Sequence, residues 1–268
     1  MNAVVKPLEA NLWDHVAFLA QGRKGASIQS SADILLIDSG LPSEALNRIG
    51  RCQLHPTFGL KRIEDALDHF RGKTPPVQFT FTVGPMSGQG TLNDTLKSAG
   101  LVKVADTLGM AAPMKTMGLP SNAVEGLNVE RVSNKEGVAD YAKLLAATWK
   151  PANTDVEKWY MDAAVAIVTP NASLKLYVGY ANDKPVAITE AFYAHGVVGL
   201  TNIIADSSAS GKGYAPGLMI AALRDAKRTG QTTAFIMATD PASKSIYERI
   251  GFKGVGVFSD FQPPPAAA

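Results

Sequence analysis

Between residues 197 and 227 the chain passes from a strand-like to a helix-like pattern across six residues, Ser210-Gly211-Lys212-Gly213-Tyr214-Ala215. This turn constrains the fold more than any other feature. Two glycines allow positive φ and let backbone N–H groups come close to a ligand. Pro216 suits the first turn of a helix, where its missing N–H is not needed. The free N–H groups and the positive end of the helix dipole then favour a phosphate, and Lys212 adds a mobile positive charge. A turn with glycines for tightness explains the same residues without a ligand, and a lone G-x-G-x-A is more often that.

The rest of the chain reads as alternating helices and strands. Leu12, Val16, Ala17, Leu19 and Ala20 form one apolar face of a helix beginning near Asn11, and residues 33–38 form a short buried strand. Helical spacing returns over 61–71, period-two alternation over 77–83, a helix at Leu92, Leu96 and Ala99 closed by Gly100, and a strand over 101–110. Residues 113–126 hold two prolines and two glycines without a period, the pattern of a linker. A strand over 127–132 leads to a helix capped by Ser133, and a second helix spans 155–168. Strands follow at 173–180, 186–194 and 197–205; after the turn come a helix from Pro216, a strand at 232–238, a helix at 241–250 and a strand at 252–258. The order is mixed α/β, and the two halves repeat roughly the same sequence of elements.

A second chemical signal lies in Asp240-Pro-Ala-Ser243-Lys-Ser-Ile-Tyr247-Glu-Arg-Ile-Gly251-Phe252. Ile246, Tyr247 and Ile250 share one side of its helix, and Gly251 stops it. Alone, Tyr247 reads as a core aromatic with its hydroxyl at the surface.

At this spacing the two segments together resemble the GNAT superfamily of N-acetyltransferases. Its acyl-CoA signature is Arg or Gln, two residues, Gly, one residue, then Gly or Ala; here Ser210, Gly213 and Ala215 take those places. Asp240, Ser243, Tyr247 and Gly251-Phe252 match the family's later Asn-x-x-Ser/Ala, Tyr and Gly-Phe pattern, and the likeness spans about 127–261. Ser210 in place of Arg or Gln removes a side-chain contribution near the phosphates, and Asp240 in place of Asn alters a polar contact.

The resemblance implies direct transfer of an acetyl or small acyl group from acetyl-CoA to a primary amine. Tyr247 protonates the departing thiolate. Backbone at Ile203, Ile204 and Ala205 pairs with the pantetheine amides, where a strand splays from its neighbour. Ser210, Gly211, Lys212, Gly213, Tyr214 and Ala215 hold the phosphates, with Asp240, Ser243 and Tyr247 beside the cofactor. Glu190 is the candidate base, directly or through water; it shares a strand face with Ile188 and Phe192, and a solvent-facing glutamate fits the same alternation. His195 is a second candidate.

By the same resemblance the chain is a tandem form: mixed α/β, two GNAT-like domains, each a mostly antiparallel twisted sheet flanked by helices. The expected boundaries are a degenerate N-terminal domain at 8–118 that walls the acceptor pocket, a linker at 119–126, an acyl-CoA-binding domain at 127–262 and a flexible tail at 263–268.

Composition narrows the partners. A net charge of +2 is too mild for nucleic acid, and nothing approaches the ~20 apolar residues of a membrane span. The single Cys52 and four scattered histidines give no metal-ligand spacing, and no secretory leader is visible. The expectation is a cytoplasmic protein without metal, acting on a small-molecule amine rather than a protein, its oligomeric state open. Two rivals stand: an acyl-CoA-binding or sensing protein of the same fold without chemistry, and a dinucleotide-binding domain. The second needs an acid on the strand after the turn, which 232–238 lacks.

Overall fold

The computed structural model describes residues 2–53, 59–87, 89–121 and 123–264. Among the described residues eleven strands form one sheet in the order β1-β2-β3-β4-β11-β5-β10-β9-β8-β7-β6. The strands of the first half are β1 (Ser27–Ser30), β2 (Leu35–Asp38), β3 (Arg48–Gly50), β4 (Thr80–Val83) and β5 (Val102–Pro113). Those of the second are β6 (Asn128–Arg131), β7 (Leu174–Ala181), β8 (Lys184–Ala194), β9 (Val197–Ala205), β10 (Thr233–Ala238) and β11 (Lys253–Gln262). The helices are α1 (Asn2–Gln21), α2 (Gly59–Arg71), α3 (Gln89–Ser98), α4 (Lys135–Ala146), α5 (Thr154–Asp162), α6 (Ala164–Ile167), α7 (Tyr214–Arg228) and α8 (Pro241–Arg249).

The architecture is the expected mixed α/β one, with a large, mostly antiparallel sheet flanked by helices. Among the described residues only β3–β4 and β9–β10 pair in parallel, and each pair is joined by a helix, α2 or α7. The repeat of elements in the sequence is therefore a repeat of this crossover. The sheet does not end where the first half ends: β11 lies between β4 and β5, and β5 pairs on its other edge with β10. The halves share backbone ladders, whose hydrogen bonds cannot be left unmade in a buried sheet centre without cost.

Local chemistry explains most of the elements. In α7, Leu218, Met219, Ala222, Leu223 and Ala226 recur at helical spacing and are buried against the sheet. Each large apolar side chain there contributes about 1.5–3 kcal/mol. Helix α4 is capped by Asn134, whose side chain accepts from Gly137 N at 2.8 Å, in place of the expected Ser133. Asn and Ser are near-equal caps, so local preference could not separate adjacent positions. The single helix expected over 155–168 is broken at Ala163 into α5 and α6.

Helix α1 starts at Asn2, well before the expected Asn11, and continues through Pro7. Val5, Leu8 and Trp13 are buried along it. Its Asn11 amide, 1% exposed, donates to the carbonyls of Phe192 and Val197 at 3.1 Å and Ala194 at 3.3 Å, pinning α1 across the β8–β9 hairpin. The expected linker contains one turn of 3-10 helix at Met114–Thr116. Residues 265–268 of the expected tail lie outside the described residues.

Candidate active site

Strands β9 and β10 run side by side only from Val197↔Thr233 to Leu200↔Ile236; beyond that β9 continues to Ala205 and β10 to Ala238 without pairing each other. Burial follows the divergence: Val197–Leu200 are buried, and Thr201 to Ala205 are half-buried. Ile203, Ile204 and Ala205 thus sit on the splayed segment, whose other edge remains paired to β8. The β8–β9 register shifts between Ile188↔Ile204 and Glu190↔Thr201, and Asn202 there adopts a φ of +51°. This bulge turns the Asn202 side chain into the neighbouring core.

The glycine-rich turn follows β9 directly. A short 3-10 turn at Ser207–Ala209 leads to Ser210, then Gly211 at φ +77° and Gly213 at φ +74°. Gly213 is the N-cap of α7 in left-handed conformation, a position that favours glycine. The helix starts at Tyr214, two residues before the expected Pro216, which remains in the first turn. No side chain caps this end, and Lys212 lies over the Tyr214 ring with Nζ 5.9 Å from the centroid.

Asp240 and Ser243 serve helix α8. The Asp240 carboxylate accepts from the backbone N–H of Ala242 and Ser243 at 2.9 Å, and Ser243 Oγ faces the Asp240 N–H at 3.3 Å, a reciprocal cap. This fixes the start of the helix carrying Tyr247. That phenol is 7% exposed, and burial, with Asp240 nearby, pushes it up to about 12. Its hydroxyl makes no hydrogen bond among the described residues and keeps its proton at neutral pH.

Glu190 is not solvent-facing: it is 1% exposed, on the β8 face shared by Ile188 and Phe192. Thr201 Oγ1 and Asn202 Nδ2 donate to its Oε1 at 2.5 and 2.8 Å, and Tyr160 Oη donates to Oε2 at 2.8 Å. His15 Nε2, from α1, lies 3.5 Å from Oε1 without the alignment of a hydrogen bond. Burial raises such a carboxyl, but His15 and the donors Thr201 and Tyr160 outweigh it and hold Glu190 below the ordinary carboxylate range. Burial and the Glu190 charge push the Tyr141 and Tyr160 phenols well above their usual range, leaving both as donors. Asn202 Nδ2 also reaches their hydroxyls, at 3.1 and 3.2 Å.

A cleft of about 150 Å³ opens on this cluster between α1, α4 and α5, with His15, Tyr160 and Asn202 at its polar end. Glu190 stands behind these three and does not line the cleft. Glu190 and Tyr247 thus face different core clusters on opposite faces of the sheet, and the gap between β9 and β10 lies between those faces. His195 is not in the cluster: it occupies the β8–β9 turn, half-exposed, with Nε2 2.7 Å from Asp14. Sequence reading missed His15, Tyr141, Tyr160 and Asn202 as site residues. The one local signal was Asn202, a poor strand former inside the run Val197 to Ala205.

Among the described residues no cluster of three or more His, Cys, Asp or Glu is placed to hold a metal ion, and no helix is long and apolar enough to cross a membrane.

Residues 135–259 match the acetyltransferase (GNAT) domain family. No curated protein sequence matches the chain. Among solved structures, a GCN5-related N-acetyltransferase from Kribbella flavida is similar at 14% identity and a TM-score of 0.71, over 94% of this chain and 93% of that one. A tandem GNAT protein from the clavulanic acid biosynthesis pathway is similar at 11% identity and TM-score 0.57, over 97% of both chains. A GCN5-related N-acetyltransferase from Sphaerobacter thermophilus is similar at 14% identity and TM-score 0.60, over 87% of this chain and 81% of that one. These likenesses carry the fold across nearly the whole length, first half included. The segment from α4 to the middle of β11 is similar to the GNAT acetyltransferase domain, and the divergence of β9 from β10 lies within the matched residues.

Proposed function

We propose that the protein transfers an acetyl or small acyl group from coenzyme A to a primary amine of a small molecule, by direct attack on the thioester. The observation that carries this reading is the parting of β9 from β10 after Leu200, beside a glycine-capped helix start. Peptide-like amides of pantetheine fit the unpaired edge at Ile203, Ile204 and Ala205 as an added strand. The diphosphate fits the N–H groups of Gly211, Gly213, Tyr214 and Ala215, with Lys212 as the side-chain cation in the place Ser210 leaves without one.

The chemistry needs the neutral amine, so the ammonium first sheds one proton toward Glu190. Since His15, Tyr160 and Asn202 separate that carboxylate from the cleft, the proton passes through His15 or a water. The amine nitrogen then bonds to the acyl carbon, the C–S bond breaks and the thiolate takes the Tyr247 proton. The second proton leaving the nitrogen passes, directly or through water, to the Tyr247 oxygen and restores the phenol. Asp240 and Ser243 contribute by holding the helix that aims Tyr247. The first half acts as the cleft's other wall, through α1. A cytoplasmic setting, where acyl-CoA is made and used, completes the reading.

The alternative is an acyl-CoA-binding or sensing protein of the same fold, favoured by Ser210. Titration calorimetry with coenzyme A and acetyl-CoA, followed by mass spectrometry of products from an amine panel, separates the two. Acetylated product supports the transferase. Tight binding without turnover on any amine supports the sensor, and no binding by either compound defeats both.

A further inference from the structure

Resting on the transferase reading above, we propose that the acceptor is a primary amine on an uncharged, benzene-sized apolar body, seated in the cleft between α1, α4 and α5. Val16 and Leu19 of α1 form one wall, and Leu145 and Val156 the other, with Trp149 and Trp159 supplying flat aromatic surface. No Lys, Arg, Asp or Glu is among the described residues that line it. A carboxylate, a phosphate or a second ammonium entering there loses its hydration and meets no opposite charge, a penalty of several kcal/mol per ion. An amine with an apolar body pays no such cost. The volume suits a small body: about 150 Å³ has room for one benzene-sized group.

The polar end orients the nitrogen. The Asn202 amide nitrogen is committed to Tyr141, Tyr160 and Glu190, which leaves its carbonyl oxygen without a partner among the described residues. His15 lines the cleft beside it, with its Nε2 buried, 3.5 Å from Glu190 Oε1. The Asn202 carbonyl oxygen thus stands in front of a buried carboxylate, so an ammonium meets one acceptor and a negative field. Asn202 immediately precedes Ile203 to Ala205, so a nitrogen held there lies beside the splayed strand that the reading gives to the thioester.

The test uses the whole chain with acetyl-CoA, following thiol release and product mass. Benzylamine, 2-phenylethylamine and isoamylamine are compared with spermidine, glycine and glucosamine. In parallel, amine binding is followed by melting shift and by the fluorescence of the two cleft tryptophans. The expected result is a kcat/KM at least tenfold higher for the apolar set. Ala45→Trp, on the half-buried rim, should raise KM for benzylamine at least tenfold and leave that for methylamine and acetyl-CoA unchanged. A preference for spermidine, glycine or glucosamine overturns the acceptor class and leaves the transferase standing. Benzylamine binding that Ala45→Trp abolishes, with no amine acetylated, upholds the cleft and sinks the transferase. Neither binding nor turnover with the apolar set overturns the acceptor proposal, and the wild-type panel decides this even should Ala45→Trp fail to fold.

Discussion

Replacing Glu190 with Gln tests whether the buried cluster holds a charge. Gln keeps the shape and one carbonyl oxygen, so Thr201 and Asn202 can still donate, while the new amide faces the Tyr160 hydroxyl, which must reverse its bond. Three donors then lose a charged acceptor. A bond to a charged group is worth about 1 kcal/mol more than one to a neutral group, which sums to about 3 kcal/mol. Against this stands the relief of burying an amide instead of an ion, which can cancel much of such a gain. The direction of the Glu190 carboxyl decides the sign: it is held below its ordinary value of 4.5 despite complete burial, so its partners outweigh desolvation. The net loss at pH 7 is then about 1–2 kcal/mol, or about 2–8 °C in Tm for a chain of this size.

The same direction fixes the pH dependence. A carboxyl with a depressed folded-state pKa lends stability that is fully present above its unfolded value and is lost as pH falls through the folded one. The gap between wild type and Glu190→Gln, read by urea unfolding, should therefore be constant from pH 7 to about 5. It should narrow as the pH drops below the ordinary carboxyl value of 4.5. A variant as stable as wild type at pH 7, or a gap that widens in acid, would show that Glu190 is protonated in the fold and refute the argument.

Further outcomes are expected. Tyr247→Phe should lower kcat by about 10²–10⁴-fold with coenzyme A affinity unchanged, in a thiol-release assay beside calorimetry. His15→Gln should lower kcat by about 10²-fold or more, again with coenzyme A affinity intact, since it stands between Glu190 and the cleft; full activity would remove it from the proton path. Gly213→Val forces a β-branched residue into a φ of +74° at the helix start, costing at least about 1–2 kcal/mol. Melting should register that cost, and coenzyme A binding should weaken more than tenfold. Asn11→Ala removes the buried side-chain hydrogen bonds that tie α1 to the β8–β9 hairpin, a cost of about 1–3 kcal/mol. Because α1 also carries His15, kcat should fall with stability, and a stable variant with normal kcat would mean that α1 does not position the site.

What was legible in the sequence was the chemistry carried by neighbours along the chain. The turn at Gly211 and Gly213, the face of α7 and the period-two alternation placing Glu190 beside Ile188 and Phe192 rest on φ preferences and on spacings of two to four residues. Each could be read before any partner was known. The Asp240 cap was half-legible: its residues were visible, but their use in holding α8 appears only with the backbone in place. Helix α1 extends upstream of the apolar face at Leu12 to Ala20, and the burial of Val5 and Leu8 that holds its first turns, Pro7 included, is a tertiary fact.

Only the tertiary structure decided the order β4-β11-β5-β10, because a strand's pattern states which face is buried and not which strand lies beside it. It also decided the nature of Glu190. The same alternation serves a solvated glutamate and one sealed at 1% exposure; the difference is α1, arriving from the other end of the chain with His15 and Asn11. Burial and charge pairing depend on what packs across a residue, and no local period encodes that.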